Sequence, residues 1–465
     1  MSEEKTKKPW GGRFKSELDP VVLKYTRSVH LDRRLAPYDL QGSRAHVRML
    51  AAQGIVSSED EKRILEGLKQ IEEEIESGEF PYRDELEDIH MNIEHRLQEI
   101  VGEAGGRLHT GRSRNDQVSL DLRLFCLDTA LRWRTQILEV HKALLERAQE
   151  LKGDLFPGWT HLQAAQPLSW GHYLLAFCEM LGRDNSRLTD YQKLHSRSPL
   201  GAGALTGSTL PLDPERSAQE LGFSASFANS YDVVGDRDFL LELLQIASQL
   251  MIHLSRLAED FIYLSSTAVH WIELPDSLCT GSSMMPQKKN LDVLELTRGK
   301  TASVLGHASA MAILLKGLPT SYHRDLQQDK EHLFSAVDEV GGTLEVIPLV
   351  IFGFQVDTER VQNALKQGFL MATDLAEYLV TRGSPFRVAH ETVGKLVAYC
   401  LEKELTLEEL PLEKLQELAP ECGPEVSEVL KPESFLRRRW HKGSSGRISI
   451  EQQIVHWKEW IENLS

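Results

Sequence analysis

The sequence predicts a mainly α-helical protein built around unusually long helices. Three observations lead there. Neither Gly nor Pro occurs between Gly111 and Gly153, or between Gly235 and Pro275; a helix filling either gap would run roughly 60 Å. Apolar residues in these gaps recur at helical steps. Alternating β-branched runs bounded by turns, the mark of strands, are rare.

Taken in order, Glu61 to Glu76 is charged and Leu/Ile-spaced, which predicts a solvated amphipathic helix. The first gap carries Leu120, Leu124, Leu127, Leu131, Leu138 and Leu145, steps of three, four and seven that suit a bundle seam. Further helices are expected near 171–195. The second gap, from Phe239 to Ile262, is apolar over a wide face, so its helix should touch neighbours on several sides. Helices should follow near 291–316, 322–340 and 358–380. Beyond about 365 the chain is more charged, with shorter apolar periods as in Leu405 to Leu418. These shifts divide the chain into 1–111, a central long-helix bundle over 112–364, and a small helical domain over 365–465. Seams so long usually meet another subunit.

Composition narrows the function. The formal charge is −16, with 41% hydrophobic and 26% charged residues. That balance is ordinary for a globular protein, and its sign disfavours nucleic acid and acidic membranes as partners. Five scattered cysteines, Cys126, Cys178, Cys279, Cys400 and Cys422, form no CxxC pair, so neither a zinc site nor a disulfide framework is expected. Met1 to Pro9 is charged and lacks the apolar run of a signal peptide, and no run of eighteen apolar residues occurs. A cytoplasmic protein is expected.

Four segments are too polar and Gly-rich for packing alone. His109–Gln117 precedes the first long helix, with N-cap types Ser113 and Asn115 and the planar donors Arg112 and Arg114, suited to an anion. Gly158–Pro167 places His161 between a Gly/Pro-marked turn and the next helix; histidine titrates near neutrality and serves acid–base chemistry. Cys279–Asn290 combines Gly, paired hydroxyls, two lysines and an amide, as in closing loops. Thr320–Lys330 carries Tyr322, Gln327 and Lys330; in a helix, the last two share a face. No metal triad, GxGxxG, P-loop or GxSxG elbow is present. The inventory suits a small polycarboxylate and proton transfer without a cofactor.

GSSMMPQKKN, from Gly281 to Asn290, resembles the GSSxMPxKxN signature of the fumarase/aspartase superfamily of lyases. HTGRSRNDQV, GWTHLQAAQP, the Trp10–Phe14 and Asp88–Glu94 segments and Ala372–Gly394 are similar to its argininosuccinate lyase branch. Leu291 stands where that branch usually has Pro. The resemblance spans essentially the whole chain. It implies an all-α, three-domain subunit whose central bundle joins three other copies in a homotetrameric twenty-helix core, with sites shared between subunits. It implies reversible β-elimination of argininosuccinate to arginine and fumarate, with no metal or organic cofactor. By resemblance, His161 and Ser282 are the acid–base pair, Glu295 orients His161, and Lys288 stabilises the carbanion. Ser28, Arg114, Asn115, Thr160, Asn290, Tyr322, Gln327 and Lys330 match substrate-binding positions. A free serine is a poor base, which favours His161; a loop that lowers the serine pKa favours Ser282 as base and His161 as acid. A sister lyase acting on adenylosuccinate, aspartate or fumarate, and a lens-crystallin-like structural protein, are the alternatives.

Overall fold

The computed structural model describes residues 19–464. The Trp10–Phe14 segment therefore lies outside the described residues. Helices dominate: the five longest are Arg114–Glu150, Trp170–Leu194, Asp238–Ser265, Asp292–Leu315 and Asp329–Gly353. The expected long helices over the two Gly- and Pro-free gaps both form. The second stops at Ser265, short of the gap's end, because the chain turns through His270 at φ 53° into a short strand, Ile272–Glu273.

Other expectations need correction. The 322–340 stretch is not one helix: a 3-10 turn, Arg324–Gln328, precedes the helix at Asp329. Gln327 and Lys330 are thus not on one regular helical face. The 358–380 stretch is two helices, Thr358–Leu365 and Ala372–Thr381, separated by Gly368 and Phe369 at positive φ. The leucine seam on Arg114–Glu150 also shifts. From Cys126 the fully buried stripe runs through Ala130, Trp133, Ile137, Val140, Leu144 and Ala148, while Leu131 is 52% exposed. The steps remain helical, and of the expected leucines Leu120, Leu124 and Leu145 are buried, while Trp133, Ile137 and Val140 take over the packed face in the middle of the helix.

The strand content missed in the sequence is a hairpin. Leu155–Thr160 pairs antiparallel with Gln163–Ser169, so that Thr160 faces Gln163 and only His161 and Leu162 form the turn. Its root is aromatic: Phe156 stacks on Trp170 at 4.0 Å between ring centroids, and Trp159 packs against Trp271 and Tyr263. Gly158 lies at a register shift, where a Cβ would come within 3.1 Å of the Gln166 carbonyl.

Contacts divide the chain into two compact units. The first comprises 1–133, 186–248 and 302–340; the second comprises 134–185, 249–301 and 341–465. In the first, Ala36–Ala52, Ser58–Glu76 and Ile89–Val101 enclose a core of Leu40, Val47, Ile64, Leu68, Ile93 and Leu97. Ser57 caps Ser58–Glu76 by accepting from the Asp60 N–H, and Asp88 caps Ile89–Val101 by accepting from the Met91 N–H.

In the second unit, the C-terminal helix Arg447–Glu462 docks Trp457 over Gly182 and beside His141. A Cβ at Gly182 would lie 2.4 Å from the indole ring. Gly182→Ala should therefore destabilise the protein by about 1–3 kcal/mol, the usual cost of overpacking. Denaturant unfolding measures this; an unchanged midpoint would mean that the ring moves aside freely.

Candidate active site

In the first unit, the segment His109–Gln117 builds its helix start as a capping box. Ser113 Oγ accepts from the Asn115 N–H, and Asp116 Oδ1 accepts from the Ser113 N–H. Ser113 is the cap, whereas Asn115 lies inside the helix and donates its Nδ2 to the Ala204 carbonyl at 3.0 Å. Asp116 also accepts from the N–H groups of Gly201 and Gly203. Burial raises the Asp116 pKa to about 6 against the pull of these three amides.

Arg114 is held from behind. Its Nε lies 3.4 Å from Asp88 Oδ2, and its Nη1 donates to Gln117 Oε1 at 2.7 Å. Behind Asp88 sits His90, whose Nε2 lies 2.8 Å from Asp121 Oδ2, both fully buried. Burial works against charge on His90, but Asp121 and Asp88 outweigh it and raise its pKa to about 10. Burial likewise works to raise Asp88, yet Arg114 and His90 hold it well below the ordinary carboxylate range. Asp121, desolvated and facing Asp39, is raised to about 7. Asp39, His90 and Asp121 bring three possible metal-ligand atoms within 4.8 Å of one another. Their geometry already meets in part through internal hydrogen bonds, since His90 Nε2 engages Asp121 and Gln117 Nε2 donates to Asp39.

A second buried network carries Lys330. Its Nζ lies 3.1 Å from Asp329 Oδ1, and Arg237 Nε donates to Asp329 Oδ2 at 2.7 Å. Ser28 Oγ donates to Asp32. Burial alone would lower the Lys330 pKa, but Asp329 and Asp32 hold it above the usual lysine range. Lys330 and Ser28 are both only 4% exposed. Gln327 and Tyr322 are half-buried; Gln327 Nε2 donates to the Thr26 carbonyl at 2.9 Å. Ser321, at φ 78°, passes so close to Gly235 that a Cβ there would meet its carbonyl oxygen at 2.4 Å. The first unit thus brings Ser28 and Lys330 together through Asp32.

The second unit holds Thr160, His161, Ser282, Lys288, Asn290 and Glu295. His161 is exposed at the hairpin tip, not between a turn and the next helix. Both turn residues have positive φ, 55° at His161 and 57° at Leu162. Such two-residue turns favour Asn-Gly or Asp-Gly, so a non-glycine pair here stores strain at the residue expected to do chemistry.

The 280s loop is closed at its base by two strand pairs, Thr280 with Asn290 and Gly281 with Lys289. Ser282 Oγ accepts from the N–H groups of Met284 and Met285, at 3.3 and 3.1 Å. Hydrogen bonds donated to an oxygen favour its anionic form. The two lysines differ. Lys289 Nζ is paired to Glu273 and Asp276 at 3.0 and 2.9 Å. Lys288 is exposed and has no ion-pair partner among the described residues. Glu295 lies exposed in the first turn of Asp292–Leu315. Among the described residues, no hydrogen bond or ion pair joins His161 to Glu295 or to Ser282 within the chain. The residues that sequence reasoning missed are Asp32, Asp88, His90 and Asp121. Asp88 and His90 lie in the Asp88–Glu94 segment singled out above, whereas Asp32 and Asp121 lie outside it, and only the packing shows which charges all four serve.

Residues 12–306 match the profile of the family described as Lyase, and residues 369–437 match Argininosuccinate lyase C-terminal. A solved EDDS lyase variant with bound fumarate superposes with TM-score 0.82 at 26% identity, covering 97% of this chain and 91% of that one. A fumarate lyase from Mesorhizobium, at TM-score 0.75 and 18% identity, covers 95% of this chain and 99% of that one and shares the fold. The class is therefore a fumarase/aspartase-type lyase. Argininosuccinate lyase of Nitratidesulfovibrio vulgaris is 47% identical over 456 residues, 98% of this chain and 99% of its own. That of Neisseria meningitidis serogroup A is 46% identical over 452 residues, 97% and 99%. Within the class, the chain belongs to the argininosuccinate lyase family.

Two tests follow from this geometry. Lys288→Met should lower turnover by roughly a hundredfold or more, the scale of a lost electrostatic stabiliser, and Lys289→Met by less than about tenfold. Equal losses measured by fumarate absorbance would remove the distinction. For Asp116, the raised pKa means that its ionisation opposes folding: its contribution is present below about pH 4 and lost as pH rises through 6. From pH 4 to 7, Asp116→Asn should gain on the order of 2 kcal/mol in stability relative to the unsubstituted protein; parallel pH profiles would show that Asp116 does not titrate there.

Proposed function

We propose that this chain cleaves argininosuccinate reversibly to arginine and fumarate by β-elimination, the last step of arginine synthesis. Its near-full-length identity to argininosuccinate lyases carries the reading. A carbon–nitrogen lyase of this kind needs a base for a carbon-bound proton, a cation for the resulting aci-carboxylate, and an acid for the leaving guanidino nitrogen.

Ser282 is the base in this proposal, supported by the two amides directed at its Oγ. Lys288 and Asn290 stabilise the developing charge, with Lys288 the lysine left without a counter-ion. His161 is the acid, and Glu295 charge-couples it. Ser28, Arg114, Asn115, Thr160, Tyr322, Gln327 and Lys330 bind the substrate. No organic cofactor or metal takes part in this mechanism.

The assembly is a homotetramer with sites shared between subunits. Two observations support it: His161 and Glu295 are exposed and uncoupled within one chain, and the long helices expose Leu131, Leu296, Leu305, Ile313, Leu349 and Phe352. A three-part subunit, 1–111, 112–364 and 365–465, agrees with a separate C-terminal match beginning at 369. Cytoplasmic residence fits five free cysteines, four of them buried. Among the described residues, no helix is long and apolar enough to cross a membrane.

Purified protein should release fumarate from argininosuccinate; release from adenylosuccinate or aspartate instead would move it to a sister lyase. Ser282→Ala and His161→Asn should each cut kcat by roughly a hundredfold or more. If these residues reach one site from different chains, co-refolding the two variants in equal amounts restores about a quarter of the activity under random assembly. No recovery in hybrid tetramers confirmed by native mass would refute shared sites and leave the lyase activity standing.

A further inference from the structure

The turn between Asp84–Leu86 and the Ile89–Val101 helix is tight. Glu87 has φ 69° and ψ −57°, and the Asp88 N–H donates back to the Leu86 carbonyl at 2.8 Å. This is a γ-turn of the rare positive-φ kind, strained for a residue with a Cβ. Strain of this sort persists only when surrounding contacts over-determine it, and here they are identifiable.

The Glu87 carbonyl accepts from the N–H groups of both Ser28 and Val29, at 2.8 and 3.1 Å. Its carboxylate, 13% exposed, accepts from Arg324 Nη2 at 2.6 Å. The same Nη2 donates to the Thr26 carbonyl at 2.9 Å, and Gln327 Nε2 donates to that carbonyl at 2.9 Å. The two residues on either side of Arg27–Ser28 are therefore tied down twice: Thr26 by Arg324 and Gln327, and the start of the next helix by Glu87. Arg27 adds an ion pair to Asp84, at the near end of the same turn. One residue further on, Asp88 faces Arg114.

We propose that Glu87 and Arg324 are positioning residues that together set Ser28 and Gln327 for the substrate. The inference rests on the reading that Ser28 and Gln327 contact it. Glu87 supplies the backbone acceptor that fixes the main chain at Ser28, and its carboxylate anchors the 3-10 turn carrying Gln327. Arg324 closes the loop between the two. An ordinary exposed ion pair contributes little. This one differs because its carboxylate is nearly buried, its guanidinium also ligates a backbone carbonyl, and the pair spans two segments that must meet one ligand.

Steady-state fumarate release from argininosuccinate tests it on the full-length protein, with the folded fraction measured for each variant. Glu87→Gly removes the carboxylate but keeps the turn, since glycine adopts positive φ without strain. This variant and Arg324→Ala should each raise KM by roughly tenfold, the scale of a hydrogen bond to a charged group, with kcat changed less than about threefold. Together they should do little more than either alone, because both remove one interaction. Arg324→Lys should recover part of the loss. Ser28→Ala and Gln327→Ala run in parallel. If they leave KM unchanged, the substrate-contact reading fails and the positioning role falls with it. If they raise KM while the Glu87 and Arg324 variants do not, only the positioning role is overturned. Loss confined to kcat or folded fraction at constant KM, or multiplicative effects in the double variant, also overturns it.

Discussion

The first unit depends on one constraint: a charge taken out of water must meet its opposite. Arg114, at a helix start, lies beside the carboxylates of Asp88 and Glu94. Arg114 and His90 hold the Asp88 pKa low although it is buried, and Asp121 and Asp88 hold that of His90 high. The network of Lys330, Asp329, Arg237 and Asp32 follows the same rule. In both, removing one member would leave an uncompensated buried charge, a larger penalty than the loss of the contact itself.

These networks also show which side chains are held by partners. Arg114 and Lys330 are held by buried partners, and Ser28 by two backbone bonds and Asp32. The 280s loop is different. It is tied by two strand pairs at its base, and its tip exposes Met284, Met285 and Lys288.

The long helices were legible because Gly and Pro punctuate the sequence so unevenly and because apolar spacing survives over many turns. The GSSMMPQKKN segment was legible because it combines residue types that packing alone does not need. The hairpin at Leu155–Ser169 was not. Its turn is His161-Leu162 rather than Asn-Gly, and its strands contain Pro157, Gly158 and Pro167, which argue against a strand on local grounds. Its aromatic root overrides that local preference. The break at Arg324–Gln328 was hidden for a similar reason: the residues there are acceptable helix formers, and the tight turn follows from what Arg324 and Gln327 reach across to hold. The charge partners His90 and Asp121, 31 residues apart, meet only after folding.

Ser282 as the proposed base depends on the same electrostatics. A serine alkoxide is costly in water, but the cost falls where oriented dipoles already point at the oxygen, since they need not reorganise when charge appears. Met284 and Met285 direct two N–H groups at Ser282 Oγ. Lys289 is spent on Glu273 and Asp276. In the proposed mechanism Lys288, on the same loop, supplies the positive charge for the carboxylate that becomes dianionic when the carbon proton leaves. Among the described residues, His161, exposed at a strained tip, has no comparable hydrogen-bond support within its chain. In the proposed mechanism it delivers a proton to the leaving nitrogen.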